Sequence, residues 1–405
     1  MSRPRIPRDE FEERIQTIQD RMSARGFDAL LVYGDEYRKE NLRYVSNFWP
    51  IFERGACFIP TKGEPILVGA PEGEQYAREM SIWPDVRNIK EFACVSVPEE
   101  IDYPQASFSS LAEVLSQTLG GGRRLGVIGW YDIPAPIFER IRNSLSSLEL
   151  EDAGELLTEL RLIKSSAEVA CLKEAGLLAC KGYRELIRNA IPGNTELYAA
   201  GACEGVARSA GAEDITFMVF GSGKRCDTII GRPTTKVIEE GDMIMAAFAV
   251  QYEGYVATVE YPFVAGKASD VQRSLLSVLF AAANEQLKYV RSGVVAGDMV
   301  RAVKDVFRRN NAAAYDIYPP MHGAGLAEAE SPYPDEDAAY PLRSGMCVNS
   351  DISLFGHPGG SNRIEEGFVI GDSGPESTTP LIRQLCTSGA VSIEEIELEE
   401  TGRRS

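Results

Sequence analysis

Only two imidazoles occur in the 405-residue chain, His322 and His357, so chemistry that needs several histidines is excluded. His322 lies in His322-Gly-Ala-Gly325 and is the candidate for proton transfer near neutral pH. His357 lies in the turn-like Gly356-His-Pro-Gly359 and reads as a loop residue. Thr258 and Glu260 alternate along a strand pattern, so they share one face. Asp351 and the run Arg363-Ile-Glu365 add acidic groups in later strands. Cys226 belongs to Ser222-Gly-Lys-Arg-Cys-Asp227, and it is a nucleophile only where Arg225 or His322 lowers its pKa. A buried, idle thiol is the commoner state. Lys224 and Arg225 are candidates for holding a substrate carboxylate, with a solvated loop as the rival reading. The eight cysteines form no C-x-x-C pair, which argues against a thiolate zinc site and for free thiols in a reducing cytoplasm.

These residues need elements to hold them. The periodic residues Phe11, Ile15, Ile18 and Met22 predict an N-terminal helix stopped by Gly26. Short apolar runs at Asp28–Tyr33, Ala56–Pro60, Ile66–Gly69 and Arg124–Gly129 predict buried strands. Alternation of helices and strands to residue 158 suggests a small α/β domain over 1–158. Ser165 and Glu168 have capping-box spacing and open a long helix ending at Pro192-Gly193. Further helices are expected near 196–210, 268–291 and 296–310. Strands are expected at Ile215–Phe220, Asp242–Gln251, Tyr255–Val264, 345–354 and 362–370. This is an α+β pattern over 159–390, with a Glu-rich solvated tail over 391–405.

Composition sets limits. Forty-two basic and 60 acidic side chains give a formal charge of −18, which argues against a nucleic-acid or anionic-membrane partner. No run of about 18 apolar residues suggests a membrane span, and the first residues do not form a signal-peptide pattern. A cytoplasmic protein with a small-molecule substrate is the expectation.

The order of segments resembles the creatinase/prolidase/aminopeptidase P family. The resemblance runs from Phe11-Glu-Glu-Arg14 and Leu42-Arg-Tyr-Val-Ser-Asn-Phe48 through Arg161-Leu-Ile-Lys164 and Ile191-Pro-Gly193. It continues through Gly231-Arg-Pro-Thr234, His322-Gly-Ala-Gly325, Gly345-Met346 and Arg363-Ile-Glu365. It implies a "pita-bread" catalytic domain with a curved antiparallel sheet, preceded by a smaller α/β domain, and a homodimer. In the metallopeptidase branch two Asp, one His and two Glu hold two metal ions. Those positions fall here on Ala247, Thr258, His322, Asp351 and Glu365. The branch's two accessory histidines fall on Ile230 and Ala329. The chain is thus similar to the family but depleted in metal ligands.

Within the family the logic is nearest to creatinase, which carries a substrate-binding Glu at the position of Glu260. The resemblance therefore implies a metal-independent, creatinase-like hydrolase that cleaves a C–N bond in an amidine, guanidine or amide. Glu260 and Glu365 would hold the cationic group and His322 would move the proton, with no cofactor. Asp351, Arg225, Cys226 and Tyr255 are candidates to contact substrate, although Tyr255 also reads as strand packing. Two alternatives remain open: a degenerate metal-dependent Xaa-Pro peptidase, and a non-catalytic binding protein for a small molecule or peptide.

Overall fold

The computed structural model describes residues 3–93 and 106–398. Cys94 and residues 399–405 lie outside the described residues. The chain forms two compact units, Ile6–Arg161 and Leu162–Ser405, with Met1–Arg5 belonging to the second.

In the first unit, β1 (Ala29–Asp35), β2 (Arg54–Pro60), β3 (Ile66–Gly69), β4 (Val86–Asn88), β5 (Arg124–Ile128) and β6 (Glu149–Asp152) make one sheet in the order β4-β3-β2-β1-β5-β6. It mixes antiparallel pairs, β1 with β2 and β2 with β3, with parallel ones, β1 with β5 and β5 with β6. Helices Leu111–Leu119 and Ala135–Asn143 close a core around Leu31, Phe58, Leu115, Val127 and Ile141. The helix Arg8–Ala24 buries Phe11, Ile15, Ile18 and Met22, the stripe its sequence period predicts.

The second unit holds an eight-stranded, wholly antiparallel sheet. Its strands are β7 (Asp214–Ser222), β8 (Asp242–Tyr252), β9 (Tyr255–Glu260), β10 (Phe263–Ala265), β11 (Met321–Gly323), β12 (Cys347–His357), β13 (Gly360–Ile370) and β14 (Pro375–Ser377). The main path is β10-β8-β9-β13-β12-β11, with β7 on β8 and β14 on β13. The strand expected over Tyr255–Val264 is broken in two, because Pro262 lacks the N–H a ladder needs. The long helix Ser166–Asn189 begins with the capping box of Ser165 and Glu168. It packs on helix Glu196–Ser209 and on β8 and β9. Its Tyr183 hydroxyl donates to the Ala246 or Tyr261 carbonyl and accepts from the Tyr261 N–H, which ties the helix to the sheet.

The C-terminal stretch is not a free tail over its described part. Ile393 N–H donates to the Val264 carbonyl, and Arg273 bonds Glu395 at 2.5 Å. No described helix is long and apolar enough to cross a membrane.

Candidate functional site

The site follows from strand register. β8 and β9 are joined by a two-residue turn, Glu253-Gly254, in which both residues have positive φ, as such tight hairpins require. That turn sets Ala247 opposite Glu260. Glu260 in turn faces Glu365 on β13, and Glu365 faces Asp351 on β12. On the outer side, Val219 of β7 faces Ala247. Side chains in direct register lie on one face of a sheet. One row therefore reads Val219, Ala247, Glu260, Glu365, Asp351, apolar at one end and acidic at the other. Residues two positions away share the face. This adds Phe217, Thr258, Arg363 and Asn349, and His322 arrives by pairing with Asn349.

A cavity of about 370 Å³ opens over this face, lined by Phe217, Val219, Ile230, His322, Glu328, Ala329, Asp351, Arg363 and Glu365. Beneath it, Arg363 Nε sits 2.5 Å from Glu260 Oε2 and 2.9 Å from Glu365 Oε1. Asn349 Nδ2 donates to the other Glu365 oxygen at 3.0 Å. His322 Nδ1 donates to its neighbour's carbonyl, Gly323 O, at 2.9 Å. Its Nε2 therefore faces Glu328 Oε1 at 3.6 Å. Thr258 Oγ1 also donates to Glu328 Oε1, at 3.2 Å.

One guanidinium cannot neutralise the carboxylates around it. Burial, against the pull of Arg363 and with a push from Glu365, raises Glu260 to about 8. Burial and then Glu365 push Asp351 up to about 7. Burial and Glu365 likewise raise Glu328, against His322 and the Thr258 hydroxyl. Burial works against the charge of Arg363, yet Glu260, Glu365 and Asp351 together hold it well above its ordinary range. Glu260 and Asp351 therefore retain protons near neutral pH. Two of their oxygens, Glu260 Oε1 and Asp351 Oδ1, are shut from solvent with no hydrogen-bond partner.

The sequence candidates divide. His322, Asp351 and Glu365 line the cavity together. Glu260 is fully buried beneath it, and its expected role of holding an external cation is filled by Arg363 of the same chain. Cys226 does not reach the cavity. It is buried, its thiol bonds the Gly221 and Met243 carbonyls, and burial raises its pKa, so it is no nucleophile. Arg225 is not free for substrate either, since its Nε bonds both oxygens of buried Glu196 at 3.1 Å and its Nη2 bonds the Arg232 carbonyl. Tyr255 is buried and its hydroxyl donates to Glu168 at 2.8 Å, on the helix side of the sheet. Sequence reasoning missed Glu328, which stands one residue before Ala329, an accessory-histidine position. It also missed the apolar wall of Phe217 and Val219, whose signal was their alternation on β7.

Residues 170–372 match the model of metallopeptidase family M24, and residues 14–163 match that of the creatinase/prolidase N-terminal domain. The "Uncharacterized peptidase YqhT" of Bacillus subtilis is 28% identical over 60% of this chain and 69% of its own length. An Xaa-Pro dipeptidase of Pyrococcus horikoshii is 22% identical over 93% of this chain and 99% of its own. The crystal structure of the Pyrococcus horikoshii prolidase superposes with a TM-score of 0.78 at 21% identity, over 91% of this chain and 98% of that one. The architecture is the two-domain pita-bread fold. The expected metal-independent, creatinase-like C–N hydrolase does not hold. The matching family model is one of metallopeptidases, and the relatives are Xaa-Pro dipeptidases and prolidases.

Proposed function

Because the chain belongs to metallopeptidase family M24, we propose that it is a degenerate Xaa-Pro peptidase, which keeps the short-peptide cavity of its relatives on a depleted set of metal ligands. The observation that carries this reading is the place of Arg363, whose Nε lies within 2.9 Å of both Glu260 and Glu365. The residues present do not fit a pair of metal ions. Ala247 offers a methyl group, Thr258 a hydroxyl already bonded to Glu328, and a fixed guanidinium stands among the remaining carboxylates. Among the described residues no group of three or more His, Cys, Asp and Glu side chains is arranged to hold a metal ion. What the chain's own residues do is bind and orient: Asn349 and Arg363 fix Glu365, and Gly323 fixes the His322 ring.

The relatives named for Xaa-Pro dipeptides support a short peptide as ligand. A homodimer fits the resemblance, and light scattering of the purified chain tests it. A cytoplasmic setting fits the seven free, buried thiols among the described residues. The deciding experiment measures Xaa-Pro dipeptide binding by calorimetry and hydrolysis with and without Mn²⁺. Expected is saturable binding, with turnover at least ~10³-fold below the ~10 s⁻¹ of an ordinary enzyme. Absence of any dipeptide binding refutes the ligand class, and full Mn²⁺-dependent turnover refutes the degeneracy.

A further inference from the structure

A second hollow lies in the same unit and shares no lining residue with the cavity described above. It measures about 480 Å³. Its walls are the 3-10 turn Gly223–Thr228, the Gly241 turn with the start of helix Asp270–Gln286, and the hairpin between β12 and β13. Hydrogen bonds between these pieces hold the walls in place. Gln272 Nε2 donates to the Gly241 carbonyl at 2.9 Å, which ties the helix to the turn before β8. Ser361 Oγ donates to Asp227 Oδ1 at 2.6 Å and accepts from the Gly356 N–H, which ties the hairpin to the 3-10 turn. The hollow is thus formed in advance of any ligand, which lowers the ordering cost of binding.

Its charge runs against that of the chain. In a protein of formal charge −18, Lys224 and Lys267 both line this hollow. Among the described residues neither ammonium is held in an ion pair, whereas nearby Lys236 is taken by Asp242 at 2.5 Å and Arg225 by Glu196 at 3.1 Å. Asp227 is the acid in the lining, and Ser361 already occupies its Oδ1. Two ammoniums against one carboxylate leave the hollow positive. His357 adds a directed donor. Its Nδ1 accepts from the Gly359 N–H at 2.9 Å, and burial lowers its pKa, so the ring is neutral at pH 7.5 and carries its proton on Nε2. The Tyr315 ring packs edge-to-face with it, centroids 5.0 Å apart.

We propose that this hollow binds a small organic phosphate, with Lys224 and Lys267 supplying the charge and His357 Nε2–H a hydrogen bond. A phosphate monoester carries a charge of about −1.5 to −2 at pH 7 and three strong acceptor oxygens, which answers two ammoniums and one imidazole donor. A single carboxylate leaves one ammonium unanswered. The volume falls within the range of about 300–1,000 Å³ typical of small-ligand sites, so the group esterified to the phosphate lies in the hollow as well. Lys224, whose sequence context suggests a substrate carboxylate, therefore serves a different anion away from the cavity. The proposal does not depend on the short-peptide reading.

The test uses the full chain in phosphate-free buffer at constant ionic strength, with glycerol 3-phosphate as probe and succinate as a dianion without phosphorus. The chain has two histidines, so NMR of ¹³C-labelled histidine reports on each ring separately. Expected is a saturable shift of the His357 signal, assigned with His357→Gln, while the His322 signal stays in place. Calorimetry reads the affinity. Lys224→Met and Lys267→Met each weaken binding about 5-fold or more, the order of one exposed charge pair, and added salt weakens it further. Both lysines are exposed and Met keeps the apolar stem, so the variants fold, and circular dichroism checks that they do. Absence of saturable glycerol 3-phosphate binding overturns the proposal, as does binding that both lysine variants retain unchanged. Succinate binding as tightly as glycerol 3-phosphate overturns the phosphate assignment. A shift of His322 in place of His357 overturns the location, since it puts the probe in the other cavity.

Discussion

Replacing Arg363 by Met keeps much of its apolar stem and removes only the charge and its donors. The wild-type guanidinium is 10% exposed and lies 2.5 and 2.9 Å from carboxylates that are 0% and 4% exposed. At an effective dielectric of about 20, one charge pair about 4 Å apart is worth about 4 kcal/mol. Breaking a buried pair by removing one partner costs about 3–5 kcal/mol, because the other charge stays buried. The carboxylates can escape this penalty by taking up protons, which is easier in acid. The folded-state pKa of Glu260 then rises further above its unfolded value, so stability falls as pH rises through that window. Between pH 7.5 and pH 5 one proton's worth of relief is about 3 kcal/mol. Arg363→Met is therefore expected to lose about 3–5 kcal/mol at pH 7.5, read by chemical denaturation, or about 6–20 °C in Tm for a unit of this size. At pH 5 most of that loss disappears. A loss under about 1 kcal/mol at pH 7.5, or a loss that does not change with pH, refutes the idea that Arg363 is the resident cation of the site.

The wild-type site has a pH signature of its own. Glu260 is raised to about 8 and Asp351 to about 7, so both keep protons that the unfolded chain releases. Stability is therefore fully present below about pH 4 and is lost as pH rises toward 8, and denaturation curves for Asp351→Asn fall less steeply over that range. Lys164 Nζ bonds Glu330 at 2.7 Å with side chains 1% and 11% exposed, and Glu330 also accepts from the Ala327 N–H beside Glu328. Lys164→Met is expected to cost about 3–5 kcal/mol and to speed hydrogen exchange over residues 324–330, as mass spectrometry would show. Cys226, with its raised pKa and buried sulfur, should resist alkylation at pH 8 in the folded chain and react only on unfolding, and Cys226→Ala should leave dipeptide affinity within about twofold. Rapid native labelling of Cys226 would contradict its burial.

Much of this protein was legible in one dimension. The capping box at Ser165 and Glu168, the helical stripe from Phe11 to Met22 and the alternation of Thr258 and Glu260 are local patterns, and local patterns survive without knowledge of partners. The family resemblance, counted from Gly254, assigns two metal-ligand positions to Ala247 and Thr258, and the two-residue turn holds both in a register set within the segment. The pairing of Glu260 with Glu365 was not available this way. The two lie 105 positions apart in the chain, and which strand sits beside β9 is decided by the sheet's topology. Only that pairing puts Arg363 between two buried acids and turns a site that looked ready for an external cation into one that holds its own. The same holds for Tyr255, drawn to Glu168 across 87 residues, and for Cys226, whose sulfur is sealed by Met243 on a neighbouring strand. Residue type and spacing determined which groups the site could draw on. Long-range packing decided what the remaining charges touch, because electrostatic partners are set by distance through space and not by distance along the chain.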